Sequence, residues 1–386
     1  MAPKSFALVN GRVLRDTGFV DGLAVVIEDG KIAAVVPRDD ARVAASVAHD
    51  LHGQRLMPGF IDTQVNGGGG VLFNDAPTVD SIRAIGRAHR RFGTTGFLPT
   101  LISDDLHVIE SALAAVREAI RTRVPGVLGI HIEGPFLNPE RKGAHDVAKL
   151  RTLDAAAVKL LATPTGGRTM LTLAPEMTDS DTLTELARAG IILSAGHTNA
   201  THAEVKQALG HGLRGFTHLF NAMSQLGNRE PGVVGAALED SGSWCGIIVD
   251  GVHVDPVVLR LALRCKPAER FMLVSDAMPN VGSDISEFTL AGKRIVVHNG
   301  KLLDEAGTLA GASLHMAGAV ANAIKLLEVD PARAARMASA NPAAFLRLDA
   351  ELGRIEPGYR ASLVLADDRL NVLETWIDGV PSGNAG

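Results

Sequence analysis

Only two cysteines occur in 386 residues, Cys245 and Cys265, with no Cys-x-x-Cys pair and no metal-like spacing. That scarcity excludes a disulfide scaffold and leads us to expect two thiols in a reducing compartment. Basic residues are not in excess either: 38 Lys and Arg face 43 Asp and Glu, a net charge of −5. No nucleic-acid partner is expected from that balance, although a locally positive site for an anionic substrate is compatible with it. No apolar run approaches the roughly 20 residues that span a bilayer, so no membrane partner is expected. Residues 1–16 hold no long apolar stretch ending in a cleavage site, and a cytoplasmic location is expected. Internal repeats and low-complexity tracts are also missing.

What is present is organised. Asn10-Gly11, Asp29-Gly30 and Asp378-Gly379 sit between β-branched or apolar runs near the two ends of the chain. Such pairs tolerate the positive φ of tight hairpins. Short strands at both ends would leave open edges unless they paired with each other. We therefore expect a small β-sandwich domain built from residues 1–55 and 354–386. Between them lie apolar runs at 56–65, 95–100, 126–133, 168–175, 191–196, 213–218, 244–250 and 270–276. Helical patterns at 79–92, 105–121, 182–189, 200–210 and 256–264 separate most of these, with 314–327 and 331–345 following. The spacing predicts an α/β fold, a (β/α)8 TIM-type barrel over 56–353. Residues 219–243 resolve into neither loop nor helix by pattern.

Four residues of metal-binding or acid–base type fall at expected strand ends: Glu133, His197, His218 and Asp276. In barrels these carboxyl ends converge on one mouth. Two imidazoles and one carboxylate can hold zinc with a position open for water. Such a cation acidifies the water and polarises a carbonyl, and Asp276 is placed to act as general base and acid. A lone strand-end histidine is usually a hydrogen-bonded polar residue; it is the four together that point to a metal site. Phosphate-loop chemistry is not indicated, because Gly67–Gly70 lacks a following Lys-Ser/Thr. That glycine run fits either close backbone packing at the mouth or a flexible loop.

At these residues the chain resembles a known family. Pro58-Gly59-Phe60-Ile61-Asp62 is similar to the opening strand of amidohydrolases. The run from His131-Ile132-Glu133-Gly134-Pro135 to Gly143-Ala144-His145 resembles N-acetylglucosamine-6-phosphate deacetylases in particular. So do Gly196-His197-Thr198, the segment from His218 to Met223, Asp250-Gly251-Val252-His253 and Ser275-Asp276-Ala277-Met278. Gly353 to Gly358, with Ala361-Ser362-Leu363, is similar to the superfamily's return into its small β-domain. The resemblance implies release of acetate from N-acetylglucosamine 6-phosphate, in amino-sugar breakdown and cell-wall sugar recycling. It implies that Glu133, His197 and His218 bind the metal, that Asp276 is the acid–base, and that His145 steadies the oxyanion. Ala144, Asn221, Ala222, Leu309, Ala310 and Gly311 would line the sugar pocket, beside Asp250. Arg229 and His253 would hold the phosphate, one of them reaching across a homodimer. Other amidohydrolases, acting on another amino sugar or a cyclic amide, and a catalytically silent binding protein remain as alternatives.

One departure alters the metal count. Many amidohydrolases place His-x-His at the end of the first strand, where this chain has Gln64-Val65-Asn66. A neutral amide oxygen is a poor ligand for zinc. One divalent metal per chain is expected, zinc first and ferrous or another divalent ion as alternatives, with Gln64 and Asn66 orienting water or substrate. His315 stands where a small polar residue is expected, and no role for it follows.

Overall fold

Asp29 and Gly30 have φ of 48° and 78° and join the antiparallel strands Leu23–Glu28 and Lys31–Pro37, as their chemistry predicts. Asp378 and Gly379 likewise link Val372–Ile377 to Val380–Pro381. Asn10-Gly11 departs from expectation. The flanking strands Ser5–Val9 and Arg12–Arg15 enter separate sheets, because each finds better partners further along the chain.

The computed structural model describes residues 5–383; the outermost residues of the expected terminal domain, 1–4 and 384–386, lie outside it. Strands from both ends build two sheets. One has the order Lys31–Pro37, Leu23–Glu28, Ser5–Val9, Val47–Asp50. The other runs Val380–Pro381, Val372–Ile377, Leu363–Ala366, Arg55–Pro58, Arg12–Arg15, Gly18–Val20. Leu8, Val25, Ile27, Leu56, Leu363 and Trp376 share the core of this terminal unit.

The apolar run 56–65 is two strands. Arg55–Pro58 stays in the terminal sheet, so the small domain extends past residue 55. The break falls at Gly59, where any side chain would collide with Thr95. The barrel then begins: β1 (Phe60–Val65), β2 (Thr94–Ile102), β3 (Gly129–Glu133), β4 (Arg168–Leu173), β5 (Ile192–Ala195), β6 (Leu213–Phe216), β7 (Trp244–Ile247) and β8 (Phe271–Leu273). Neighbours pair in parallel and in sequence order. A bridge between Val65 and Ala277 closes the ring.

One main helix follows each barrel strand. The stretch 219–243, illegible by pattern, holds the sixth, Gly232–Glu239. His315 caps the eighth, Met316–Leu327: its Nδ1 accepts the Gly318 N–H at 3.0 Å, and its ring stacks on Phe92. The expected closing helix 331–345 is two, Pro331–Met337 and Ala340–Phe345. Phe345 plugs the lower end of the barrel against Ile61, Leu98, Met170 and Met272.

Between β8 and its helix the chain inserts a three-stranded antiparallel sheet, Glu287–Leu290, Lys293–His298 and Lys301–Leu303. It packs Leu290, Ile295 and Leu302 with Leu72, Ile102 and Met278 at the mouth. No described helix is long and apolar enough to cross a membrane. Cys245 is buried and Cys265 exposed, both as free thiols.

Candidate active site

β3, β5 and β6 end within one residue or two of Glu133, His197 and His218, and the barrel's convergence brings the three side chains together. Glu133 Oε1 lies 3.2 Å from His197 Nε2 and 3.1 Å from His218 Nε2, and the two nitrogens are 3.1 Å apart. Ligand atoms around zinc, with bonds of about 2.0–2.1 Å, stand about 3.3 Å from one another. His197 Nδ1 lies 2.9 Å from the Arg141 carbonyl oxygen, which only accepts, so Nδ1 carries the proton and Nε2 keeps its lone pair. The donor set and spacing therefore fit a small divalent cation.

The charges agree with that fit. Burial alone would raise the Glu133 carboxyl, but hydrogen bonds and charge from His197 and His218 hold it well below its usual range. Burial opposes protonation of His218, yet Glu133 raises it above the usual histidine value. A cation bound there would take the place of that proton.

Asp276 follows β8 on the same mouth. Burial first, then the Glu133 charge, raises it to about 6, against the pull of His218, His253 and an Asn66 hydrogen bond. Its Oδ1 accepts from Gln64 Nε2 at 3.1 Å and Asn66 Nδ2 at 2.6 Å. Gln64 Nε2 also donates to both Glu133 oxygens, at 3.2 and 3.1 Å. These amides turn N–H donors, not lone pairs, toward the carboxylates.

A cavity of about 340 Å³ opens over this group. Ala144, His145, Asn221, Ala222, His253, Leu309 and Gly311 lie in its wall, with Asn66, the three candidate ligands and Asp276. Burial and the neighbouring His197 push His145 down to about 3, so it is neutral. Gln64 lies beneath the cavity, bridging Glu133 and Asp276. Asp250 stands behind His253, accepting its Nδ1–H at 2.6 Å. Ala310 packs away from the cavity, into the apolar cluster under the inserted sheet. Arg229 is exposed and outside the wall of its own chain's cavity.

Sequence patterns gave no hint of the polar layer below. His131 Nε2 contacts Thr172 Oγ1 at 2.7 Å, and Thr172 and Ser194 both reach Thr217 at 2.7 Å. Burial drives His131 down to about 4, leaving a neutral, hydrogen-bonded floor under the charged cluster. Also missed was Ser103, against His145. The inserted sheet had a readable signal in Asn299-Gly300, whose φ values of 50° and 74° form its second turn.

An eight-stranded parallel barrel with a convergent Glu-His-His cluster and an adjacent raised aspartate defines a hydrolase of the metal-site type. The sequence comparisons agree: the model of the amidohydrolase family matches residues 55–382. The N-acetylgalactosamine-6-phosphate deacetylase of Shewanella sp. (strain ANA-3) is 42% identical, over 95% of this chain and 93% of its own. The N-acetylglucosamine-6-phosphate deacetylase of Haemophilus influenzae is 35% identical, over 97% and 98%. The crystal structure of N-acetylglucosamine-6-phosphate deacetylase from Pasteurella multocida superposes with a TM-score of 0.95 at 35% identity, over 98% of this chain and all of that one. The chain belongs to the amidohydrolase family and, within it, to the enzymes that deacetylate N-acetylated amino-sugar 6-phosphates.

Proposed function

We propose that this enzyme hydrolyses the N-acetyl group of N-acetylglucosamine 6-phosphate, giving glucosamine 6-phosphate and acetate, in amino-sugar breakdown and cell-wall sugar recycling. The observation that carries the reading is the raised, buried Asp276 beside a convergent Glu133, His197 and His218 in one cavity. Those three residues would hold one divalent cation, zinc, which would supply an acidified water and a polarised carbonyl. The donor orientation of Gln64 and Asn66 supports a single ion.

Asp276, whose Oδ1 accepts from the Gln64 and Asn66 amides, takes a proton from the attacking water. A carbon–oxygen bond forms at the acetyl carbon while His145 donates to the developing oxyanion. Asp276 returns the proton to the sugar nitrogen as the carbon–nitrogen bond breaks. Asn221, Ala222, Leu309 and Gly311 shape the sugar site. His253, held by Asp250, and Arg229 from a neighbouring subunit receive the phosphate in a cytoplasmic homodimer.

A second reading is specific: the Shewanella relative is named for the galactosamine epimer. Acetate release should be compared for both 6-phosphates and for free N-acetylglucosamine, with and without chelator. The proposal expects chelator-sensitive turnover of N-acetylglucosamine 6-phosphate, with kcat/KM for the free sugar at least about a hundredfold lower. Equal rates with and without the phosphate would refute the phosphate site. A kcat/KM favouring the galactosamine compound would establish the second reading.

A further inference from the structure

β2 ends at Ile102, and the next residue, Ser103, directs its hydroxyl to His145. Ser103 Oγ lies 2.7 Å from His145 Nδ1, and the Ser103 backbone N–H donates to the same nitrogen at 3.3 Å. A backbone amide can only donate, so Nδ1 is an acceptor without a proton, and the hydroxyl donates to it as well. A neutral imidazole has one N–H, which therefore sits on Nε2. Among the described residues Nε2 has no hydrogen-bond partner, and it is not sealed in the interior; the ring lines the cavity. Ser103 is 6% exposed, and its hydroxyl has no other partner among the described residues. Gly134, at φ 83°, leaves the room that this hydroxyl occupies, because any side chain there would meet Ser103 Oγ.

We propose that Ser103 is a positioning residue of the reaction: it fixes the His145 tautomer so that Nε2–H, not a lone pair, faces the acetyl oxygen. The proposal rests on the reading of His145 as oxyanion donor given above. Its physical content is simple. The other tautomer would turn a lone pair toward a developing negative charge, which repels where the N–H would attract. Two donors from one rigidly placed residue exclude that tautomer, and the Ser103 amide alone does so less completely.

Ser103→Ala should lower kcat about tenfold, with KM within twofold and metal content unchanged. Ser103→Thr, which restores a hydroxyl, should recover most of the rate. His145→Gln separates the two claims. If His145→Gln turns over normally, the His145 reading fails; if it is slow while Ser103→Ala is normal, only the Ser103 proposal fails. Adding Ser103→Ala to His145→Gln should cost nothing further, and a multiplied loss would overturn action through His145. Nitrogen NMR of histidine-labelled enzyme gives a reading that does not depend on turnover. His145 Nδ1 should report as an unprotonated acceptor in the wild type and as a tautomer mixture in Ser103→Ala. A protonated Nδ1 in the wild type would overturn the proposal.

Discussion

Asp276, His197 and His218 have φ of 50°, 50° and 35°, in the left-handed region that non-glycine residues seldom occupy. Each costs backbone energy that the surrounding hydrogen bonds must offset, a pattern common where side chains are held for chemistry. Asp276→Asn keeps an oxygen for the Gln64 and Asn66 donors and removes only the proton acceptor. It should lower kcat between about a hundredfold and ten-thousandfold while one equivalent of metal stays bound. Metal analysis beside steady-state kinetics checks both halves. Near-normal turnover would remove Asp276 as the base, and two equivalents needed for full rate would remove the single-ion site. The four residues of metal-binding or acid–base type were legible in the sequence because each stands at the end of an apolar run. The bridging of Glu133 and Asp276 by Gln64 was not, since those positions are far apart in sequence and meet only when the barrel closes.

The glycine run after β1 shows how an element is fixed by what packs against it. Gly67 and Gly68 pair antiparallel with Val71 and Leu72, and a side chain at Gly68 would enter the His89 ring. Of the two readings open from sequence, close backbone packing is the one the structure supports. His89, on the helix Val79–Arg90, is fully buried and reaches the Gly67 carbonyl at 2.9 Å. Burial pushes it down to about 4 from a usual 6.5. A neutral folded histidine that charges on unfolding leaves stability intact above about 6.5 and erodes it as pH falls toward about 4. Replacing His89 with Gln keeps a donor for Gly67 and removes the proton. Between pH 7 and pH 5 the variant should lose about 2 kcal/mol less stability than the wild type. Urea denaturation at the two pH values measures this, and identical acid losses would show that His89 is not the group responsible. Most barrel strands and helices were readable from their apolar period, but the helices Ala155–Leu161 and Gly232–Glu239 were not. The inserted sheet was not, because its strands are short with only one buried residue each, and only Asn299-Gly300 marks it.

At the scale of the whole molecule His145, Asp276 and the Glu133, His197 and His218 cluster line one cavity, but Arg229 stands outside it on an exposed loop. A doubly charged phosphate is best met by a guanidinium fork, and His253 is the cavity's own candidate. If Arg229 serves a neighbouring subunit, two defective chains can repair each other. Asp276→Asn supplies an intact Arg229 but no base, and Arg229→Ala supplies the base but no guanidinium. Unfolded and refolded together in equal amounts, half of the dimers should be mixed, each with one complete site and one lacking both groups. Activity on the phosphorylated sugar should then reach about a quarter of the wild-type value, well above the mean of the two variants alone. Activity equal to that mean would show that Arg229 acts within its own chain or not at all. Arg229→Ala alone distinguishes those two outcomes. A raised KM for the phosphorylated sugar, with no change for the free sugar, keeps Arg229 at the phosphate, and unchanged kinetics remove it from the site.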